Sequence, residues 1–153
     1  MLTEVMNGKS DLTIPQREMI ALHVSSLNNC HYCVGSHKAV LATLGADDAK
    51  ISAVEKGSGV DPHMAAILNF VGRLTMNPGA VTQRHIEALR GTDVAERAIE
   101  DVINVVSLFG YLNRLVDGFG IKGSPEAFSQ SGAMVSQHGY GPVVDMLQKQ
   151  LAA

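Results

Sequence analysis

Residues 18–37 read EMIALHVSSLNNCHYCVGSH and contain both cysteines of the 153-residue chain. Cys30 and Cys33 form a Cys-x-x-Cys motif, whose spacing brings two sulfurs together at the first turn of a helix, where they can cycle between dithiol and disulfide. His37 follows Cys33 by four residues and shares its helical face one turn further on. The stretch therefore predicts a reactive thiol pair with an imidazole beside it.

Glu18 joins this cluster through a predicted helical hairpin. Residues 14–27 are predicted to form one helix, residues 28–29 a tight break, and residues 30–44 a second, antiparallel helix. Glu18 lies ten residues before the first residue of the break, and His37 lies nine after it. At a rise of about 1.5 Å per residue, the two positions reach roughly the same level of the hairpin. A cluster of carboxylate, imidazole and two thiols can move protons onto and off sulfur.

The first helix of the hairpin has a clear start and is apolar over most of its circumference. Thr13 is the predicted N-cap, with Pro15 in the first turn and Gln16 completing a capping box. A helix with apolar residues on most sides is buried on more than one side, which predicts that Glu18 is buried or half-buried. Burial favours the neutral form of a carboxylate unless it is paired, and such a carboxylate suits acid–base chemistry.

The order Glu, eleven residues, Cys-x-x-Cys, three residues, His resembles the pattern of the AhpD-like alkylhydroperoxidases within the carboxymuconolactone decarboxylase superfamily. NNCHYCVGSHKAV at 28–40 is similar to the core of that family, and AILNF at 66–70 and LFGYLNR at 108–114 are similar to its later helices. The resemblance covers roughly residues 13–121 and is strongest to compact, single-motif, peroxidase-related members. It implies an all-α bundle of about six to eight helices with the Cys-x-x-Cys at a helix N-terminus.

The same resemblance implies thiol-dependent reduction of hydroperoxides without a cofactor. By it, Cys33 attacks the peroxide and Cys30 resolves the resulting sulfenic acid into a disulfide. Glu18 and His37 would form the proton relay, and His31 would assist. An external dithiol or thiol protein would then restore the pair. The helix dipole favours the opposite roles for the sulfurs, because Cys30 lies nearer the helix N-terminus, where the pKa of a thiol falls most.

Three other functions use parts of this residue set. A lactone decarboxylase of the same superfamily needs an acid–base pair, but it does not need a redox dithiol. The four side chains of the cluster could instead bind zinc, although such sites usually draw ligand pairs from two separate loops. A redox sensor or a protein disulfide reductase uses the same dithiol and differs only in what reaches it. We predict a peroxidase that uses no metal ion.

Bulk composition limits the class of protein. The length suits one domain over residues 1–153, and 46% hydrophobic with 18% charged residues fits a globular fold. A net charge of −3 and 5% aromatic residues argue against nucleic-acid binding. The first ten residues lack the order of a signal peptide, and no apolar run reaches the roughly 18 residues of a membrane span. We therefore predict a cytoplasmic protein, in which a Cys-x-x-Cys is seldom structural.

Helical signals continue along the rest of the chain. No strand-like alternation survives beside them, so the predicted fold is all-α. The predicted segments are the motif hairpin at 13–45, helices starting at 47, 61 and 82, a long central helix at about 92–119, and a C-terminal helical segment at 124–153 that ends in a helix at 142–151.

The long helix also predicts a homo-oligomer. Residues 102–116 carry apolar side chains around more of the helix than a domain of this size can cover, and soluble monomers seldom expose such a patch. The family resemblance implies the same result, in the form of a trimer or a trimer of dimers. The alternative is that the segment after Ser124 covers the excess surface.

Overall fold

The computed structural model describes residues 1–145, and over that range the chain folds into helices joined by short connections, without a strand. The predicted all-α fold is confirmed, and the Cys-x-x-Cys lies at a helix N-terminus as expected. Residues 141–145 are also helical. The helices are α1 (Leu2–Asn7), α2 (Ile14–Leu27), α3 (His31–Thr43), α4 (Asp48–Lys56), α5 (Pro62–Met76), α6 (Gln83–Arg90), α7 (Glu96–Gly118) and α8 (Pro125–His138), with a 3-10 turn at Pro78–Ala80.

Helix α2 lies at the centre of the fold and contacts α1, α3, α4, α5 and α7. Every residue from Arg17 to Ser25 is buried, which explains why this helix is apolar on most sides. Its predicted capping box is present, because the Gln16 N–H donates to Thr13 Oγ1 at 3.3 Å and the Thr13 N–H donates to Gln16 Oε1 at 2.8 Å. The buried side chains of α2, α5 and α7 form most of the core.

The turn between α2 and α3 sets the orientation of the thiol pair. The N–H groups of Asn29 and Cys30 donate to the carbonyls of Ser26 and Ser25, each at 3.0 Å, in the pattern of a Schellman motif. Asn29 has a φ of 56°, a left-handed conformation that asparagine adopts more readily than most residues. Cys30 is consequently the N-cap of α3, and Cys33 lies in its first turn.

Helix α7 begins four residues later than predicted, at Glu96 instead of residue 92. The intervening residues close the end of α6, since the N–H groups of Thr92 and Val94 both donate to the Leu89 carbonyl. Asp93 has a φ of 59° there, which no α-helix accommodates. The sequence expectation was wrong because hydrophobic periodicity does not reveal a left-handed residue.

Helix α1 has no counterpart among the predicted helices, since six residues are too few to show a periodic pattern. Arg17 of α2 stabilises its C-terminal end, where Nη1 donates to the carbonyls of Val5 and Gly8 at 3.1 and 3.0 Å. Met6 is fully buried in the core. So short a helix depends on these tertiary contacts and not on its own propensity.

Helix α8 packs principally on α3. A Cβ at Gly132 would lie 2.9 Å from the Cβ of Ala39, so glycine is what permits the close approach of the two helices. The predicted start is confirmed by the cap in which Ser124 Oγ accepts the Ala127 N–H at 3.2 Å. Of the predicted final helix at 142–151, the part after residue 145 lies outside the described residues. Across residues 1–145, no helix combines the length and hydropathy that crossing a bilayer requires.

Candidate active site

Glu18 and His37 meet across the hairpin at the level that their spacing predicts. The Nδ1 of His37 lies 2.7 Å from Oε2 of Glu18, and neither side chain is more than 2% exposed. The ring of Phe109 packs against the imidazole with centroids 4.5 Å apart. We assign the donated proton to Nδ1, which leaves Nε2 free to accept a proton. The arrangement matches the base and carboxylate of a nucleophile–base–carboxylate triad.

Cys30 and Cys33 are free thiols, 0% and 6% exposed respectively. Burial raises the pKa of Cys33 to about 12, and the neighbouring Cys30 adds to that rise. Burial also raises the pKa of Cys30, but the nearby thiol and backbone N–H of Cys33 offset part of that increase. Cys30 is thus the easier of the two to ionise. Neither pKa is lowered overall, because loss of hydration outweighs the helix N-terminus.

Helix α7 supplies two polar side chains that the sequence predictions missed. Asn113 is 1% exposed, donates to Ser25 Oγ at 3.1 Å and accepts from Asn28 Nδ2 at 2.9 Å. Its polar side chain also lowers the pKa of the Cys33 thiol, which offsets part of the effect of burial. Asp117, one turn further along, raises the pKa of both cysteines through its negative charge. A single asparagine on the buried face of an apolar helix was the signal that could have revealed Asn113.

Tyr140, which follows α8, is a third residue absent from the sequence predictions. Its hydroxyl donates to Glu18 Oε1 at 3.0 Å and lies 3.5 Å from Nδ1 of His37. Burial, reinforced by the negative charge of Glu18, raises the pKa of Tyr140 well above its ordinary value. The hydroxyl therefore stays protonated. No sequence signal points to Tyr140, which lies 122 residues from Glu18 along the chain.

His31, predicted to assist, is the first residue of α3 and is exposed, unlike the two cysteines beside it. Among the described residues, no hydrogen bond supports its predicted role. The neighbouring Tyr32 packs edge-on against Phe128 of α8, with centroids 5.6 Å apart. The same phenylalanine fills the space beside Gly35, where a Cβ would lie 2.4 Å from the ring. The face of α3 that carries Tyr32 and Gly35 therefore packs against α8.

Comparison with known proteins shows the family and the fold of this chain. The sequence model of the carboxymuconolactone decarboxylase family matches residues 1–76, a range that includes the whole Glu18 to His37 stretch. A crystal structure of an uncharacterized peroxidase-related protein from Silicibacter sp. TM1040 is similar to this chain with a TM-score of 0.78 and 28% identity, over 84% of this chain and 69% of that one. The chain belongs to the AhpD-like carboxymuconolactone decarboxylase superfamily.

Two further structures extend the comparison of this AhpD-like protein. The alkylhydroperoxidase AhpD core of an uncharacterized peroxidase-related protein from Ralstonia eutropha JMP134 gives a TM-score of 0.76 at 26% identity, over 84% of this chain and 69% of that one. A protein of unknown function from Agrobacterium tumefaciens, described as a candidate antioxidant defence protein AhpD, gives 0.70 at 22% identity, over 79% and 84%. At 22% identity, the similarity to the Agrobacterium tumefaciens protein is evidence for the fold alone. No curated protein matches the sequence significantly.

The residues of the AhpD-like cluster are not arranged as a metal site. Within residues 1–145, no three side chains of His, Cys, Asp or Glu are placed to share one ion. Nδ1 of His37 and Oε2 of Glu18 bond to each other, and each thiol is paired with the other. The zinc alternative therefore gains no support from the geometry.

The raised pKa of Cys33 predicts thiol reactivity that climbs steeply with pH. Because the pKa is about 12, the reactive thiolate fraction increases about tenfold per pH unit below that value. Burial is the largest cause of the raised pKa and persists without Cys30, so alkylation of the Cys30→Ser, His37→Phe variant, which also lacks the proposed base, should accelerate from about pH 7 to about pH 10 without a plateau when iodoacetamide is the reagent. Mass spectrometry measures the rate, and the same variant unfolded in urea is the control. A plateau in the folded variant at the pH where the unfolded one levels off would contradict the burial argument.

Proposed function

We propose that this AhpD-like protein is a thiol-dependent peroxidase that reduces hydroperoxides through a dithiol–disulfide cycle of Cys30 and Cys33. The observation that carries the proposal is the buried His37–Glu18 hydrogen bond of 2.7 Å, placed one helical turn from Cys33. A thiol with a pKa of about 12 is almost entirely protonated at neutral pH, so it needs a base to react quickly. The pair supplies that base, and two similar structures are of proteins described as peroxidase-related.

In the first step, the Cys33 sulfur attacks the outer oxygen of the hydroperoxide. An S–O bond forms as the O–O bond breaks, and the sulfur is oxidised to a sulfenic acid while the peroxide is reduced. His37 takes the thiol proton at Nε2 and returns it to the departing alkoxide, which leaves as an alcohol. Glu18 stabilises the imidazolium that exists between the two transfers.

In the second step, the Cys30 sulfur attacks the Cys33 sulfur. An S–S bond forms as the S–O bond breaks, and the hydroxide leaves as water with the proton of the Cys30 thiol. An external dithiol then reduces the disulfide by thiol exchange, supplying two electrons and two protons and becoming a disulfide itself. A reducing cytoplasm, the location predicted from the sequence, would supply such a dithiol.

Two observations support Cys33 as the attacking sulfur. It lies four residues before His37 on α3, and it is 6% exposed whereas Cys30 is 0% exposed. The nearby polar groups of Cys33 lower the pKa of the Cys30 thiol in part, and this suits the resolving role. A resolving sulfur must itself be a nucleophile once its neighbour has become a sulfenic acid.

Burial of the dithiol favours a small hydroperoxide over a protein disulfide as the oxidant. Neither sulfur is more than 6% exposed, so a disulfide on another protein can approach only after local opening of the chain. A lactone decarboxylase would use Glu18 and His37 as its acid–base pair, but its reaction would not require the two neighbouring thiols.

Turnover with alternative substrates tests the proposal. The protein, with dithiothreitol as the external dithiol, should consume tert-butyl hydroperoxide and should not reduce the disulfides of folded insulin. The Cys30→Ser, Cys33→Ser double variant is the control for the uncatalysed reaction. Peroxide consumption no faster than in that control would contradict the proposed function, and rapid insulin reduction would favour a protein disulfide reductase.

We also propose that the protein acts as a homo-oligomer. Three large apolar side chains at intervals of four residues form an exposed row along the end of α7 and its C-cap: Tyr111, Leu115 and Phe119, with Phe119 79% exposed. Helix α8 packs principally on α3, so the described part of the segment after residue 124 does not support the covering alternative. A second copy of the chain that covered this row would remove its apolar surface from water.

Light scattering at micromolar concentration should give a mass of at least twice the 16.3 kDa of a single chain. A Leu115→Glu substitution puts a charge in the middle of the row and should lower that mass. Met76→Glu, at a 65% exposed apolar position on α5, is the matched control and should leave the mass unchanged. A monomeric mass for the unaltered protein would be evidence against the oligomer.

A further inference from the structure

We propose that Tyr140 is a positioning residue of the relay, which holds the Glu18 carboxylate ionised and oriented toward His37. The effect on turnover rests on the proposed peroxidase function, whereas the effect on protonation does not. Tyr140 lies outside the motif stretch, outside the residues matched by the family model, and on a segment that arrives at the site from the far end of the described chain.

Each oxygen of the Glu18 carboxylate has its own donor. Oε2 accepts from His37 Nδ1 at 2.7 Å, and Oε1 accepts from the Tyr140 hydroxyl at 3.0 Å. Glu18 is 0% and Tyr140 6% exposed, so no bulk water replaces either donor. A buried carboxylate keeps its charge only when hydrogen bonds substitute for lost hydration, and bonds to an ionised acceptor are the strongest available. The second donor therefore favours ionised Glu18.

Ionised Glu18 in turn determines what His37 can do. The carboxylate keeps the proton on Nδ1, so that Nε2 remains free to take the thiol proton. Without the Tyr140 hydroxyl, the pair of Glu18 and His37 would gain a proton at a higher pH, and a protonated pair cannot act as a base. Tyr140 thus acts through Glu18 and does not touch the reacting sulfur.

Charged and titratable groups of the neighbouring helices lie around the Tyr140 hydroxyl and Glu18. Cys33 of α3 faces Tyr140, and its ionisation would raise the pKa of the phenol further. Arg17 of α2 interacts with Glu18 and with Asp101 of α7 through their opposite charges. None of these groups bonds to Oε1 of Glu18, so the Tyr140 hydroxyl is the donor that replaces water at that oxygen.

The backbone after α8 delivers Tyr140 to this position. The Tyr140 N–H donates to Asn7 Oδ1 at 3.0 Å, which ties it to the end of α1. Gly139 has φ 67° and ψ −167°, a conformation that is essentially restricted to glycine. A Cβ at that position would also lie 2.8 Å from Asn7 Oδ1. The placement of the ring is therefore specified by its neighbours on both sides.

Tyr140→Phe tests the inference because it keeps the ring and removes only the donor. We expect the acid limb of the pH–rate profile for peroxide reduction to move upward by about one pH unit, with a loss of roughly tenfold near neutral pH. Ser131→Ala, which removes a half-buried hydroxyl that donates to the Phe128 carbonyl within α8, is the matched control and should leave the profile unchanged. Gly139→Ala keeps the hydroxyl but strains the backbone that delivers it, and it should shift the profile in the same direction.

A second readout uses no peroxide. The ring carbon resonances of His37, assigned by their loss in His37→Phe, report by NMR the pH at which the relay gains a proton. That midpoint should rise in Tyr140→Phe and stay constant in Ser131→Ala. A shifted midpoint in a protein without peroxidase activity would overturn the proposed function alone. An unshifted midpoint and an unchanged pH–rate profile in an active protein would overturn the role of Tyr140 alone.

Discussion

Cys33→Ser will abolish peroxide reduction, with a loss of at least ~10³-fold, because a serine hydroxyl cannot replace the sulfur that is oxidised. Cys30→Ser will instead consume a single equivalent of peroxide and stop, because no second sulfur is present to resolve the sulfenic acid. Trapping with dimedone followed by mass spectrometry should find the adduct on Cys33 in the Cys30→Ser variant and none in the Cys33→Ser variant.

The two serine variants are controls for each other, since each removes one sulfur from a buried site and changes little volume. Circular dichroism should show the same helix content in both. An adduct that forms on Cys30 in the Cys33→Ser variant, at an undiminished rate, would reverse the assigned roles. That result would mean that the easier ionisation of Cys30 outweighs the position of Cys33 near His37.

Glu18→Gln and His37→Phe will each slow the reaction of the thiols near neutral pH by at least ~10-fold, the lower end of what a general base contributes. The histidine variant removes the proton acceptor, and the glutamine variant removes the charge that stabilises the imidazolium. Both effects should appear in the pH–rate profile of peroxide reduction, measured by stopped-flow mixing with the reduced protein.

Matched substitutions elsewhere in the chain separate this effect from general destabilisation. Glu55→Gln removes a carboxylate that pairs with Lys38 at 2.7 Å on the surface, and His138→Phe replaces an exposed histidine at the end of α8. Neither should alter the profile. Unchanged profiles in Glu18→Gln and His37→Phe as well would leave Glu18 and His37 with a structural role only.

The meeting of Glu18 and His37 could be predicted from sequence because it depends on two helices and one short turn. Helical rise sets the level of each residue, and the left-handed Asn29 ends α2 where the sequence predicts a break. Capping residues likewise marked where most helices begin. The confirmed helix starts follow Thr13, Asp47, Asp61, Thr82 and Ser124.

The partners of Asn113 and Tyr140 could not be predicted, because they depend on how distant segments pack. Asn113 reaches Ser25 and Asn28 from α7, and Tyr140 reaches Glu18 across 122 residues of chain. No spacing rule relates such positions. Local sequence shows which residues share a turn, but it does not show which helix covers that turn.

The sequence argument considered only the helix N-terminus and left out the effect of burial on the pKa values of the two thiols. The position of Cys30 at the start of α3 was correct, and the helix N-terminus does favour a thiolate there. Loss of hydration has the opposite sign and is larger for a side chain that is 0% exposed. Burial of that degree depends on tertiary packing, so the sequence revealed the smaller of two opposing effects.

In the proposed cycle, one hydroperoxide oxidises the two thiols of one chain. The most direct measurement is an anaerobic titration of the fully reduced protein with an alkyl hydroperoxide, in which free thiols, remaining peroxide and intact mass are followed together. We predict that each peroxide consumed removes both thiols of one chain, lowers the mass by two hydrogens and produces no disulfide-linked dimer on a non-reducing gel. Thiols that persist in the presence of excess, unconsumed peroxide would contradict the account.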